Sequence, residues 1–169
     1  MKFTSLILEE LDREAELTRR ALERVPEGKN DWKPHQKSMP LGRLAHMVAT
    51  MPSWISMMVK QDELDIVPKT GTGNGTPRVP GSSKELVKAL DKAVAEARQA
   101  VSEVTDKDLQ KPWRLLEGGK VAMEGPRSRF IMETFNHLAH HRGQLTVYLR
   151  MNDVQVPAIY GPSADDHRF

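Results

Sequence analysis

Apolar residues recur at three- and four-residue steps in four stretches of the chain, and each predicts a helix with one buried face. In residues 4–25 the stripe is Ile7, Leu8, Leu11, Ala15, Thr18, Leu22 and Val25, with Glu9, Glu10, Asp12, Arg13, Glu16, Arg19, Arg20 and Glu23 as the wet face. Acids dominate its first half and arginines its second, which suits the helix dipole. Pro26 and Gly28 end it, and a connector containing Trp32 follows, where Pro34 and Pro40 disfavour helix. Trp32 is expected to plug the end of the bundle. Residues 40–60 form a second helix in which only Arg43 is charged between Leu41 and Val59, so no side of it suits open solvent. Pro52 falls in its middle and predicts a kink.

The pattern breaks at residues 61–81, which are dense in glycine, proline and threonine. A connection this long predicts a crossover or a lid over a site. Its GTGNG follows no buried strand and carries no phosphate-loop lysine, so it gives little support for nucleotide binding. Ser82 and Glu85 then open a capping box, and Leu86, Leu90, Ala93, Val94, Ala97, Val101 and Val104 carry a third helix to about residue 106. Two short apolar runs, residues 113–116 and 120–123, flank Gly118 and Gly119 and predict a small hairpin. The fourth helix spans residues 130–150 on Ile131, Phe135, Leu138, Leu145 and Leu149. The tail is irregular but contains Val156, Ile159 and Tyr160, so it is expected to pack on the bundle, with Asp165 and Asp166 solvated. The fold class is all-α: one domain, residues 1–169, a four-helix bundle with a long crossover loop between helices 2 and 3 and a hairpin before helix 4.

Composition narrows the function classes. At 169 residues with 38% hydrophobic content the chain can bury a full core. A net charge of +2 from scattered basic residues leaves no nucleic-acid footprint, and no apolar run is long enough to span a membrane. Acids by position 9 argue against a signal peptide, so a cytoplasmic location is expected. The absence of cysteine excludes disulfides, thiolate metal sites and a cysteine nucleophile.

The fourth helix carries three of the six histidines, His137, His140 and His141. His141 lies three residues after Leu138 and four before Leu145, so it falls on the apolar arc, and His137 sits one turn above it. Imidazoles at i and i+4 project in parallel and can share one divalent ion, although two half-buried, hydrogen-bonded side chains would give the same spacing. A site needs a third ligand, either another histidine or a carboxylate. His46, on a stripe of small uncharged residues (Gly42, Ala49, Thr50, Ser53) in the second helix, can line a cavity. His140 falls on a more polar flank.

The run NHLAHHRGQLTVYLRMNDVQVPAIYGPSADD resembles the closing signature of the DinB-like proteins, and PLGRLAHMVATMPSW resembles that family's second helix with its single histidine. The resemblance implies a four-helix bundle, a homodimer, and three histidines on one divalent metal ion. Carried over by position, the ligands are His46, His137 and His141, and the ion is zinc, nickel or iron. It further implies a small-molecule substrate and, by analogy with characterised relatives, a metal-dependent thiol S-transferase using a low-molecular-weight thiol, or a hydrolase. The alternative is a non-enzymatic metal-binding stress-response protein. His140, Arg142, Gln144 and Tyr160 are the candidate groups for orienting substrate or moving a proton, and of these His140, Arg142 and Tyr160 are the catalytic candidates.

Overall fold

The computed structural model describes residues 2–68 and 80–168. Along the chain these form α1 (Phe3–Leu22), α2 (Leu41–Thr50), α3 (Ser53–Lys60), β1 (Glu63–Asp65), α4 (Ser83–Ser102), α5 (Asp106–Leu109), β2 (Pro112–Glu117), β3 (Lys120–Pro126) and α6 (Arg127–Met151). Helices α1, α4 and α6 and the α2–α3 rod make the bundle: α1 packs on α4 and α6, and α2 and α3 pack on the same pair. The expected lid and the GTGNG segment fall largely on residues 69–79, outside the described residues.

The second predicted helix is two helices. Pro52 has no N–H and its ring crowds the carbonyl one turn back, so the ladder fails there. Trp54 N and Ile55 N instead reach only three residues back, to Met51 O at 3.0 Å and Pro52 O at 3.1 Å. Both halves still bury their apolar faces: Leu41, Leu44, Val48, Met51 and Ile55 are fully enclosed within this one chain. Much of the apolar surface of residues 40–60 is therefore covered by the bundle itself.

Two linked clusters fill the interior. One joins Leu22, Leu44, Val48, Leu86, Leu90, Leu138, Leu145 and Leu149, with the tail's Val154, Val156 and Ile159 packed on it. The other joins Ile7, Leu11, Ile55, Val101, Leu109, Trp113, Ile131 and Phe135, and Trp54 touches both. Trp32 closes the first cluster edge-on against Tyr148, ring centroids 5.5 Å apart, as a plug at one end. In the tail, Asp165 and Asp166 are not merely solvated. Asp165 accepts from Arg150 Nη2 at 2.5 Å and Val156 N at 2.8 Å, and Asp166 accepts from Ala158 N at 3.1 Å. Both carboxyl groups are held below the usual range, chiefly by an arginine, Arg150 for Asp165 and Arg168 for Asp166.

The all-α expectation needs correction, because the hairpin is part of a three-stranded sheet in the order β1-β2-β3. β2 and β3 pair antiparallel around Gly118 and Gly119, whose φ values of 60° and 81° suit a tight primed turn. β1 then pairs parallel to β2, matching Glu63, Leu64 and Asp65 to Arg114, Leu115 and Leu116. Three residues carry no readable periodicity of their own, so this strand exists only through its partner. Trp113 anchors the sheet, buried against Phe130 with ring centroids 4.9 Å apart. The third helix also ends sooner than expected, at Ser102, because Thr105 and Asp108 cap a separate short helix, α5. Ser82 caps α4 by accepting from Glu85 N at 3.2 Å, while the Glu85 carboxylate reaches Gly81 N at 2.7 Å rather than closing the reciprocal box.

Asp65 ties β1 to the turn between β2 and β3. Its Oδ1 accepts from Gly118 N at 3.0 Å and Val67 N at 2.9 Å, and its Oδ2 from Gly119 N at 2.7 Å. Charge-assisted bonds to two otherwise free turn amides contribute more than a neutral pair would. Asp65→Ala is expected to cost about 1–3 kcal/mol and to speed hydrogen exchange at the Gly118 and Gly119 amides. Urea denaturation and exchange measured by NMR check both outcomes.

Candidate functional site

α6 begins directly at the end of β3, with Pro126 as its extended N-cap residue. Arg129, Glu133, His137 and His141 then fall at successive four-residue steps and form one stripe. The Arg129 Nε donates to Glu133 Oε1 at 2.8 Å. One turn on, His137 Nε2 and His141 Nε2 lie 2.8 Å apart, with ring centroids 4.6 Å apart. The structure thus brings the two expected α6 ligands together, nitrogen facing nitrogen. Their exposure differs from the inward placement read from phase: His137 is exposed and His141 half-buried.

Gln144 orders this pair. Its Oε1 lies 2.8 Å from His141 Nδ1 and so accepts that N–H, while its Nε2 lies 3.0 Å from His140 Nε2 and donates to it. A neutral His141 protonated at Nδ1 presents the lone pair of Nε2 toward His137. His140 is exposed and joins the pair through this amide and through an edge-on contact of its ring with that of His141, centroids 5.0 Å apart. An amide orients its neighbours but does not hand a proton along, so the contact makes His140 a support for Gln144 rather than a relay.

A cavity of about 340 Å³ opens beside the pair, between α3, the sheet and the first half of α6. Its walls include Trp54, Met57, Leu64, Trp113, Leu115 and Met123, and its polar lining is Glu133, Thr134 and His137. His137 packs edge-on to Trp54 with ring centroids 5.4 Å apart. Partial desolvation there, followed by the charges His141 and His140 would carry, pushes its pKa below the ordinary histidine value. The ring is kept neutral, the form that can ligate a cation.

His46 is half-buried on α2, and its Nδ1 is enclosed with no hydrogen-bond partner. Among the described residues no three histidine or carboxylate groups converge as a ligand cluster. The donor types nevertheless suit a divalent ion: the Nε2 atoms of His137 and His141 face one another, and the orphaned His46 nitrogen on α2 is a group that costs about 1–3 kcal/mol to leave unsatisfied.

Arg142 and Tyr160 lie elsewhere. One residue beyond His141 is 100° around the helix, and Arg142 points into the bundle, 1% exposed. Its Nη2 donates to Glu14 Oε2 at 2.7 Å and to Tyr160 Oη at 2.6 Å, and its Nη1 to Thr18 Oγ1 at 3.0 Å. The Tyr160 hydroxyl in turn donates to Glu14, 2.9 Å from Oε2. The knot joins α1, α6 and the tail, and no contact links either residue to the histidines among the described residues.

Sequence reasoning missed Glu14 and Glu133, though both were signalled. Glu14 sits at the three- and four-residue steps of the Ile7, Leu11, Thr18 stripe, and a charge on an apolar stripe demands a buried partner. Glu133 lies one turn before His137 on the same stripe.

Removing Glu14 strands a buried guanidinium, so Glu14→Ala is expected to cost about 3–5 kcal/mol; Arg142→Ala leaves Glu14 its contacts with Arg13 at 3.1 Å and Tyr160 and should cost less, and the double variant less than the two single costs added. Chemical denaturation of the three variants measures this coupling. For His137 the sign of the pH effect follows from its lowered pKa. The unfolded chain takes up the proton first, so metal-free protein should lose stability as pH falls below about 6.5 toward the depressed folded value. An NMR titration of the ring with thermal melts across pH 5–7 checks both; a His137 that titrates above 6.5 contradicts the desolvated environment.

A crystal structure of a DinB-like protein from Bacillus cereus superposes with a TM-score of 0.69 at 26% identity, covering 91% of this chain and 95% of that one. A DinB-like protein from Bacillus subtilis superposes at 0.67 with 16% identity, covering 91% and 97%, and shares the fold. In sequence, 46 residues are 37% identical to the uncharacterized protein YrdA of Bacillus subtilis, a match spanning 27% of this chain and 28% of that protein's length. No helix among the described residues is long and apolar enough to cross a membrane. The model of the DinB family matches residues 1–168, and the chain belongs to the DinB family.

Proposed function

We propose that this protein is a divalent-metal-dependent enzyme acting on a small molecule, with thiol S-transfer or hydrolysis as its reaction class. The observation that carries this reading is the position of the facing His137 and His141 nitrogens, 2.8 Å apart, at the edge of a 340 Å³ cavity that His137 itself lines. A protein that only sequesters metal has no use for a cavity beside the donors, so the cavity favours the enzyme over the stress-response alternative.

His137 and His141 would hold the ion through Nε2, with His46 as the third donor. A dication on neutral imidazoles keeps its full charge and lowers the pKa of a water or thiol that it binds, and three protein donors leave room for one. The chain's own residues do the rest. Gln144 fixes the His141 tautomer, and His140 holds the Gln144 amide. His137 Nδ1 has no protein partner among the described residues, so that nitrogen can take the ring proton when the Nε2–H that faces His141 gives way to an ion. Trp54 shields the pair on one side. Arg142 and Tyr160 keep α6 and the tail in place rather than touching substrate.

The test starts with elemental analysis of protein purified without a nickel column, where about one zinc, nickel or iron per chain is expected. Reconstituted wild type should turn over electrophiles, with or without small thiols, at rates that apo protein and His141→Ala lack. Stoichiometric metal with no such turnover across a broad panel would favour the sequestering alternative, and no bound metal would overturn both readings.

A further inference from the structure

The cavity beside His137 also limits what can enter it. Trp54, Trp113 and Phe130 supply aromatic surface, and Met57, Met58 and Met123 supply sulfur at three points of the wall. Thioethers are polarizable, rotate through several rotamers and pack favourably against ring edges, so such walls reshape around apolar guests of different outline. The polar lining is confined to one side: Glu133, Thr134 and His137 all come from α6. Two of these groups are already engaged, Glu133 with Arg129 and the Thr134 hydroxyl with Phe130 O at 2.9 Å. His137 alone keeps a free ring nitrogen. Ile66 and Met123, which line the cavity, are also 55% and 39% exposed, so the space opens to solvent past apolar side chains.

We infer that the cavity binds small uncharged aromatic compounds, one or two rings in size, with the ring among Trp54, Met57 and Met123 and a single polar substituent at His137. This rests on the preceding reading only for calling the guest a substrate; binding itself requires no ion. A volume of 340 Å³ lies at the lower end of ligand pockets, enough for about 8–12 heavy atoms and too small for a nucleotide. No cationic side chain lines the space, so a carboxylate or phosphate on the buried part of the guest would go unpaired.

The experiment uses metal-free full-length protein labelled at methionine methyl groups, titrated with benzyl alcohol, indole and 2-naphthol, and with benzoate and glucose as controls. Met57, Met58 and Met123 should shift saturably with the neutral aromatics at a dissociation constant on the order of 100 μM, while Met39 and Met151 stay still. The controls should bind at least about tenfold more weakly. Ile66→Lys, at an exposed position that leaves the core untouched, and Leu115→Trp, which fills the cavity, should each weaken binding about tenfold or more with unchanged circular dichroism. No saturable shift up to about 1 mM, equal binding of benzoate, or affinity unaffected in both variants overturns the inference. Saturable binding without turnover in reconstituted protein sinks only the enzymatic reading, and turnover confined to hydrophilic substrates sinks only this one.

Discussion

The buried contact between Arg142 and Glu14 sets the rotation of α6, and the arrangement of everything near the histidines depends on that rotation. A guanidinium left unpaired in the bundle would cost several kcal/mol, so α6 has one admissible angle about its axis. Successive residues are 100° apart, and His141 precedes Arg142 by one. Holding Arg142 against α1 therefore turns the stripe of His137 and His141 to another side of α6, where His137 lines the cavity beside α3 and the sheet. The tail takes part through the Tyr160 hydroxyl, which bonds to both members of the pair. Arg142 and Tyr160 thus spend their hydrogen-bonding groups on joining α6, α1 and the tail.

Periodicity made the helices legible because each long helix has a dry stripe and a wet one. It located α1, α4 and α6 to within a few residues, and it marked His137 and His141 as neighbours. Its failures have particular causes. Pro52 was visible, but the extent to which it divides a helix depends on how the two halves pack. β1 is three residues long and owes its existence to Leu115 and its neighbours, which lie some fifty positions away. Phase also assigned His141 to the apolar arc without distinguishing the arc's centre from its edge, and in the structure the ring is only half-buried. The cavity could not be read at all, since its walls come from α3, β1, β2, β3 and α6, which no local pattern joins.

The two ends of the α6 stripe differ in a way that matters chemically. Arg129 and Glu133 neutralise one another through a direct contact, which leaves the next turn without a carboxylate to pull a proton onto His137. The histidines are accordingly surrounded by rings, an amide and thioethers. Burial lowers the basicity of His137, and the charges His141 and His140 would carry lower it further.

The short strand β1 carries Leu64, and Ile66 follows it, so one wall of the cavity belongs to the edge of the sheet rather than to the bundle. It is fastened by few bonds, among them Ile66 N to Leu116 O and Arg114 N to Asp62 O, both 3.0 Å, and the Asp65 contacts. Detaching an edge of this kind costs far less than unfolding the bundle, and such openings recur on the microsecond to millisecond scale. A guest held against that wall can leave whenever the edge lifts, while the helices that position the histidines stay closed. Residence time and the alignment of the donor nitrogens are thus governed by different parts of the molecule, and evolution could lengthen the one without disturbing the other.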